Sequence, residues 1–300
     1  MDYGLRQQYQ AIVFTFLKFA TDLNSSMPNQ EKFIDVNQAI LDKSPGIHAV
    51  LPQFLINWFK ERIVHESYLN EYMRNSGGKR DFEFCKDFLD YSGITVHTVG
   101  AENIPAQGGA IFAANHPLGG TDALAIMVSI SGYRNDVKFL VNDLLMQLKN
   151  LNGLFVGVNL FGATPRENIR RVDELFASDN AVFIFPAGLV SRMTRHKVIR
   201  DLDWKKTFIS KAKRYKKPIV PVHISGRLSR RFYFVAKLRK FLGIKINIEM
   251  LFLVDEILKQ KGKSITITYG APILPETLDR SKTDDEWAYE VKKAVYQLPQ

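Results

Sequence analysis

A histidine and an aspartate six positions apart, His116 and Asp122, lie in the segment AANHPLGGTDAL, residues 113–124. A carboxylate bonded to one imidazole nitrogen fixes the tautomer and stabilises the imidazolium. The other nitrogen is then free to take a proton from an attacking hydroxyl or amine. Asp122 opens the apolar helical run DALAIMVSISG, so its carboxylate stands at or beside a helix N-cap and can fold back toward the ring. Gly119 and Gly120 let the backbone turn tightly and approach a ligand. The same residues also make a plain turn with a surface histidine and a capping aspartate, and from this segment alone both readings stand.

The surrounding elements decide where such a pair would sit. GGAIFAANH is a short apolar run after a glycine turn, the pattern of a buried strand, so His116 falls where a strand ends and a helix begins. In open α/β folds, sites form outside the carboxyl ends of strands. From Ile94 onward strand-like segments (ITVHTVG, VKFLVND, GLFVGVN, AVFIFPAG, PIVPVHISGR, SITITYGAPI) alternate with helical ones (LLMQLKNL, RENIRRVDELFAS, DWKKTFISKAKRYK). That alternation predicts an α/β layer fold with a largely parallel or mixed sheet over residues 91–300. Residues 1–90 read as a helical region, including one long helix through LPQFLINWFKERIVHESYLNEYMRNSGG that stops at Gly77-Gly78. Its Phe54, Leu55, Trp58, Phe59, Ile63 and Tyr68 line either a core or a lipid-gripping face.

Composition narrows the class. The chain has 300 residues with 46% hydrophobic and 24% charged residues, ordinary globular values. One cysteine, Cys85, excludes an intramolecular disulfide and a cysteine-cluster metal site, and fits a reducing compartment. The opening MDYGLRQQYQ, followed by an apolar stretch containing Lys18, is not read as a signal peptide, and no uncharged run is long enough to predict a membrane span. The net charge is +10, but residues 192–240 alone hold 17 Lys and Arg against Asp201 and Asp203, a local +15. This segment is either a solvated surface or a partner site for an anionic membrane, an acidic carrier protein, a nucleic acid or a phosphorylated substrate.

Two further strand ends complete a pattern. FIFPAGLVSR places Phe185, Pro186, Ala187 and Gly188 before Ser191 and Arg192, and PIVPVHISG follows. In order, the blocks Asn115–Asp122, Gly153–Asn159, Phe185–Arg192 and Ile219–Pro221 resemble the lysophospholipid and glycerol-phosphate acyltransferase superfamily, over roughly residues 94–275. More narrowly, NHPLGGTD, FLVNDLL, FPAGLVSR and RDLDWKKTFI resemble its hemolysin-like bacterial branch, which contains N-acyltransferases of ornithine and glycine lipids. The helical stretch from Asp35 resembles the start of that branch as well.

The resemblance implies a glycerol-phosphate-acyltransferase-like mixed sheet flanked by helices. It implies acyl transfer from a thioester of acyl carrier protein or coenzyme A, with no bound cofactor or metal and no acyl-enzyme. His116 would be the general base and Asp122 its orienting acid. Asn115, Gly119, Gly120, Asn159, Phe185, Pro186, Ala187, Gly188, Ser191 and Arg192 would contact substrate, with an oxyanion bound by backbone N–H groups of Gly119-Gly120 or Ala187-Gly188. Five residues separate His116 from Asp122 where most of the superfamily has four, a spacing that this branch shares. Asn159 and Ala187 stand where the glycerol-phosphate enzymes usually have arginine and glutamate. Losing a cation and an anion together leaves neither unpaired in a cleft. The expectation therefore leans to a small acceptor such as an amino acid, acylated on nitrogen. Glycerol 3-phosphate or lysophosphatidate is the alternative, with Arg192 or Arg166 left to contact a phosphate. The implied location is cytoplasmic, peripheral on the inner face of the cytoplasmic membrane, with anionic lipid or acyl carrier protein meeting Lys205, Lys206, Lys211, Lys213 and Arg214, or Arg227, Arg230 and Arg231.

Other classes find less support. A nucleic-acid binder would use the basic segment and its aromatics, but no recognition signature accompanies them. A catalytically silent lipid-binding protein would keep the apolar helices and show no turnover. No Gly-x-Ser-x-Gly elbow, His-Glu-x-x-His or phosphate loop is present. His97 and His223 read as strand residues, and Ser191 as a turn or substrate contact rather than a nucleophile.

Overall fold

The structure, a computed structural model, describes residues 32–43, 49, 52–142, 145–158, 165–194, 197–243 and 248–299. Readings that fall on the N-terminal apolar stretch, His48, Asn159 and His196 lie outside the described residues.

Helical elements precede the sheet: α1 (Val36–Lys43), α2 (Gln53–Phe59), a π-helical turn (Lys60–Val64), α3 (Glu66–Ser76) and α4 (Asp81–Tyr91). The single long helix expected through this region is broken at His65, which takes a left-handed conformation (φ 54°, ψ 47°). Its Nε2 is 2.9 Å from Asp255, so a side-chain contact 190 positions away holds the bend. Of the apolar stripe, Ile63 is buried, Phe59 and Tyr68 are half-buried, and Phe54, Leu55 and Trp58 are exposed.

The sheet strands are β1 (Thr95–Val99), β2 (Ala110–Ala114), β3 (Val137–Asn142), β4 (Phe155–Val158), β5 (Ala181–Ile184), β8 (Ile219–Ile224) and β9 (Ser264–Tyr269), with a small separate hairpin of β6 (Arg192–Met193) and β7 (Ile199–Arg200). Their spatial order is β1-β9-β8-β2-β5-β3-β4. All neighbours run parallel except β8 and β9, which are antiparallel, so the sheet is mixed. Every residue of β2, β5 and β8 is buried, because helices cover both faces.

On one face, Tyr72, Phe84, Phe88 and Leu89 from the early helices join Ala125, Ile126 and Ile130 of α5 (Gly120–Ile130) and the rings of Phe112 and Phe183. On the other, Ile111, Val182 and Ile219 meet α6 (Pro165–Ala177), α7 (Thr207–Tyr215) and, after α8 (Arg230–Phe241) and α9 (Leu253–Leu258), the C-terminal α10 (Asp284–Val295). Phe112, Phe183 and Phe139 stack across three strands at 4.4 and 5.0 Å. This row pins β2 to β5 in the register Ala113↔Ile184, so the chain leaves both strands side by side.

Candidate active site

His116 lies two residues beyond β2, and Phe185 immediately beyond β5. Their rings stack with centroids 4.1 Å apart. His116 Nδ1 is 2.8 Å from Asp122 Oδ2, and the same oxygen accepts the Leu118 N–H at 2.9 Å. Asp122 is in the first turn of α5 rather than at its N-cap, which is Gly119. Gly119 has φ 72° and ψ −131°, a conformation that residues with a Cβ rarely adopt. A Cβ there would also come within 3.0 Å of Leu253 Cδ2. The turn that returns the carboxylate to the ring therefore depends on this glycine.

The two partners differ in access. The Asp122 side chain is fully buried, and that of His116 is 18% exposed. Burial pushes the Asp122 carboxyl above the ordinary carboxylate range, while the His116 ring and the Leu118 amide pull it back. With Nδ1 bound to the acid, Nε2 is the nitrogen left for other chemistry. That is the arrangement of an oriented base, and the sequence around it decides the family.

The sequence model of the acyltransferase family matches residues 38–300. The chain belongs to that family. This acyltransferase is 42% identical over 266 residues to a lyso-glycine lipid O-acyltransferase of Bacteroides thetaiotaomicron, covering 88% of this chain and 97% of that protein. It is 40% identical to a lyso-glycine lipid O-acyltransferase of Phocaeicola vulgatus, covering 88% and 95%. Among solved structures it is similar to the 1-acyl-sn-glycerophosphate acyltransferase PlsC of Thermotoga maritima, at 18% identity and a TM-score of 0.45, over 81% of this chain and 92% of that one. It is an acyl-transferring enzyme of lipid synthesis.

The other candidate residues of the acyltransferase fall into two groups. Phe185 stacks on the His116 ring, and Gly119, Gly120, Pro186, Ala187 and Gly188 lie in the turns that follow β2 and β5. The Gly188 N–H is already donated to the Phe185 carbonyl at 2.9 Å, closing that turn. Gly120 begins α5, where the first N–H groups of a helix have no intrahelical partner.

The side chains of Asn115, Ser191 and Arg192 each have protein partners. Asn115 both donates to the Ile224 carbonyl (3.0 Å) and accepts the Ile224 N–H (2.7 Å), extending the β2–β8 pairing through its side chain. The Ser191 hydroxyl donates to Asp201 at 2.5 Å. Arg192 binds the buried Glu249 at 3.0 Å and the Val190 carbonyl at 3.1 Å, with its guanidinium 5.4 Å from the Phe232 ring centre. These contacts hold the Arg192 guanidinium, one of the two candidates for a phosphate contact, against protein groups. Glu249, buried beside both Arg192 and Arg239, was not singled out in the sequence; its partners lie 57 and 10 residues before it.

Charge pairing also redraws the basic segment. On and beside α7, Lys206 pairs with Asp285, Lys213 with Asp284, and Lys211 and Arg214 with Asp173. On α8, Arg230, Lys237 and Lys240 are exposed beside Phe234 (64% exposed), Leu238 and Phe241 (85%). Among the described residues no helix is long and apolar enough to cross a membrane, and no group of three or more His, Cys, Asp or Glu is placed to hold a metal ion.

Proposed function

We propose that this acyltransferase esterifies the free hydroxyl of a glycine-bearing lysolipid, taking the acyl group from a thioester of acyl carrier protein or coenzyme A. The observation that carries the chemistry is the partly exposed His116 imidazole, bonded at Nδ1 to a sealed carboxylate. The acceptor is taken from the relatives in Bacteroides thetaiotaomicron and Phocaeicola vulgatus, whose name, lyso-glycine lipid O-acyltransferase, makes an oxygen the receiving atom. The proposal thus moves from the amine favoured on sequence to a hydroxyl. An amine with a pKa near 8 is partly free base at neutral pH. An alcohol has no comparable anionic fraction and needs the base more.

In the proposed reaction, His116 Nε2 takes the hydroxyl proton as the oxygen attacks the thioester carbonyl. Asp122 stabilises the imidazolium. The oxyanion is met by N–H groups at the Gly119-Gly120 start of α5, since the Gly188 N–H is spent on Phe185. When the C–S bond breaks, the imidazolium returns the proton to the thiolate, releasing thiol and ester. The headgroup carboxylate of a glycine lipid calls for a cation. Lys205 Nζ, 3.6 Å from where a Cβ on Gly188 would stand, is the nearest candidate beside the Pro186–Gly188 turn.

The apolar and basic face of α8 supports docking on an anionic leaflet. Phe234, Leu238 and Phe241 recur at helical spacing among exposed cations, leaving apolar side chains and positive charge together on the outer side of α8. Each such cation near the surface contributes about 1 kcal/mol.

The test is to give purified enzyme an acyl carrier thioester or acyl-CoA together with lyso-glycine lipid, glycine, ornithine, glycerol 3-phosphate and lysophosphatidate in parallel, and to read the products by mass spectrometry. The expected product is the glycine lipid with one new ester. Much faster acylation of glycerol 3-phosphate, lysophosphatidate or a free amine would overturn the proposal.

A further inference from the structure

Asp201 lies in the RDLDWKKTFI segment, outside the four ordered blocks, and its carboxylate, 6% exposed, stands behind the His116 main chain. Oδ1 accepts the His116 main-chain N–H at 3.2 Å and the Ser191 hydroxyl at 2.5 Å. Oδ2 accepts the indole N–H of Trp204 at 2.9 Å. The Ser191 N–H in turn donates to the His116 carbonyl at 2.7 Å. The His116 main chain is therefore gripped at both its polar groups, and the turns after β2 and β5 are tied together through one acid.

The acid is itself anchored from the C-terminal helix. The Asp201 N–H donates to the Tyr296 hydroxyl at 2.8 Å, and its carbonyl accepts from Lys292 Nζ at 3.0 Å. Lys292 also donates to the Leu202 carbonyl at 2.9 Å. Contacts to Asp122 and Phe185 orient the imidazole plane, but the position of the ring follows the main chain that carries it. A displacement of about 1 Å in a reacting group is enough to cost roughly 100-fold in rate.

We propose that Asp201 is a positioning residue for the acyl transfer: it fixes the His116 main chain and couples the geometry of the base to α10. The proposal rests on the reading of His116 as the base. Asp201 bonds His116 at its main chain and not at its ring, so its removal is expected to act on kcat rather than on substrate binding.

Asp201→Asn is the first variant. Its amide oxygen can still accept from His116 and Ser191, but its NH2 then faces the Trp204 N–H, donor against donor. The expected result is a kcat lowered by roughly 10- to 100-fold, with KM for both substrates within about threefold of wild type. Adding Trp204→Phe removes the opposing donor and is expected to restore part of kcat. Ile265→Ala, in β9 and away from the site, supplies a destabilised control with its kcat kept.

If Asp201→Asn gives no folded protein, Tyr296→Phe carries the same test, because it removes only the oxygen that accepts the Asp201 N–H; kcat should fall there too, with KM held. The proposal is overturned if the folded variant keeps kcat within about twofold, if the loss lies in KM, or if Ile265→Ala at equal thermal stability loses as much. Should His116→Ala also retain full activity, the reading of the base itself has failed, a result distinct from failure of the Asp201 proposal alone.

Discussion

Replacing Asp122 by asparagine separates the charge of the acid from its geometry. In wild type, Oδ2 accepts from both the Leu118 amide and His116 Nδ1. The Leu118 N–H selects the amide orientation that keeps an oxygen at that point, so the imidazole tautomer is preserved. What is lost is the negative charge opposite the imidazolium that forms during transfer. For unit charges about 4 Å apart at an effective dielectric constant near 20, that is about 4 kcal/mol. On the rate scale this corresponds to roughly 1,000-fold in kcat. For stability the charge itself acts the other way. Burial raises the Asp122 carboxyl, so keeping it ionised works against the folded state. The folded protein binds the proton more tightly than the unfolded chain, and the acid's contribution to stability falls as pH rises above about 4, the unfolded carboxylate value. Asp122→Asn is relieved of that charge but seats its NH2 where Oδ1 has no partner, so at pH 7 it should fall no more than about 1–3 kcal/mol below wild type in denaturant unfolding, the gap widening below about pH 4 where the wild-type acid is protonated. The assay is single-turnover transfer on the folded variant, beside urea unfolding at both pH values. Activity within tenfold of wild type, or destabilisation beyond about 3 kcal/mol at pH 7, would refute the charge argument.

Gly119→Ala should cost about 1–3 kcal/mol, since alanine must occupy a backbone conformation that side chains avoid while meeting Leu253; denaturant unfolding measures it. Serine at Phe234 and Phe241 should weaken sedimentation with vesicles containing anionic lipid, leaving turnover of a detergent-dispersed acceptor in place. Raising salt should weaken the same binding, and retention of the double variant at wild-type level would remove α8 from the membrane face.

The dyad was legible because both its members lie in one short segment, and because β2, β5 and β8, buried on both faces, read as plain apolar runs. Long-range partners were not. Asn115 carries a motif position, but its amide completes a pairing with Ile224, 109 residues on. Arg192 is claimed by Glu249, 57 residues on. The α7 cations form a dense positive run in sequence and are largely neutralised in space by acids from α6 and α10. The break at His65 has no glycine or proline to mark it, since a histidine held by Asp255 takes the left-handed turn. Asp201 was visible as one acid in a basic stretch and in the RDLDWKKTFI segment, but the three donors that converge on its carboxylate come together only in the fold.

The account rests most directly on His116 as the base. The decisive measurement is the single-turnover rate of ester formation by wild type and His116→Ala, with acyl thioester and lyso-glycine lipid saturating and folding checked for both. The account predicts a rate lowered by roughly 100- to 10,000-fold with the acceptor still bound. A rate within tenfold of wild type would contradict it.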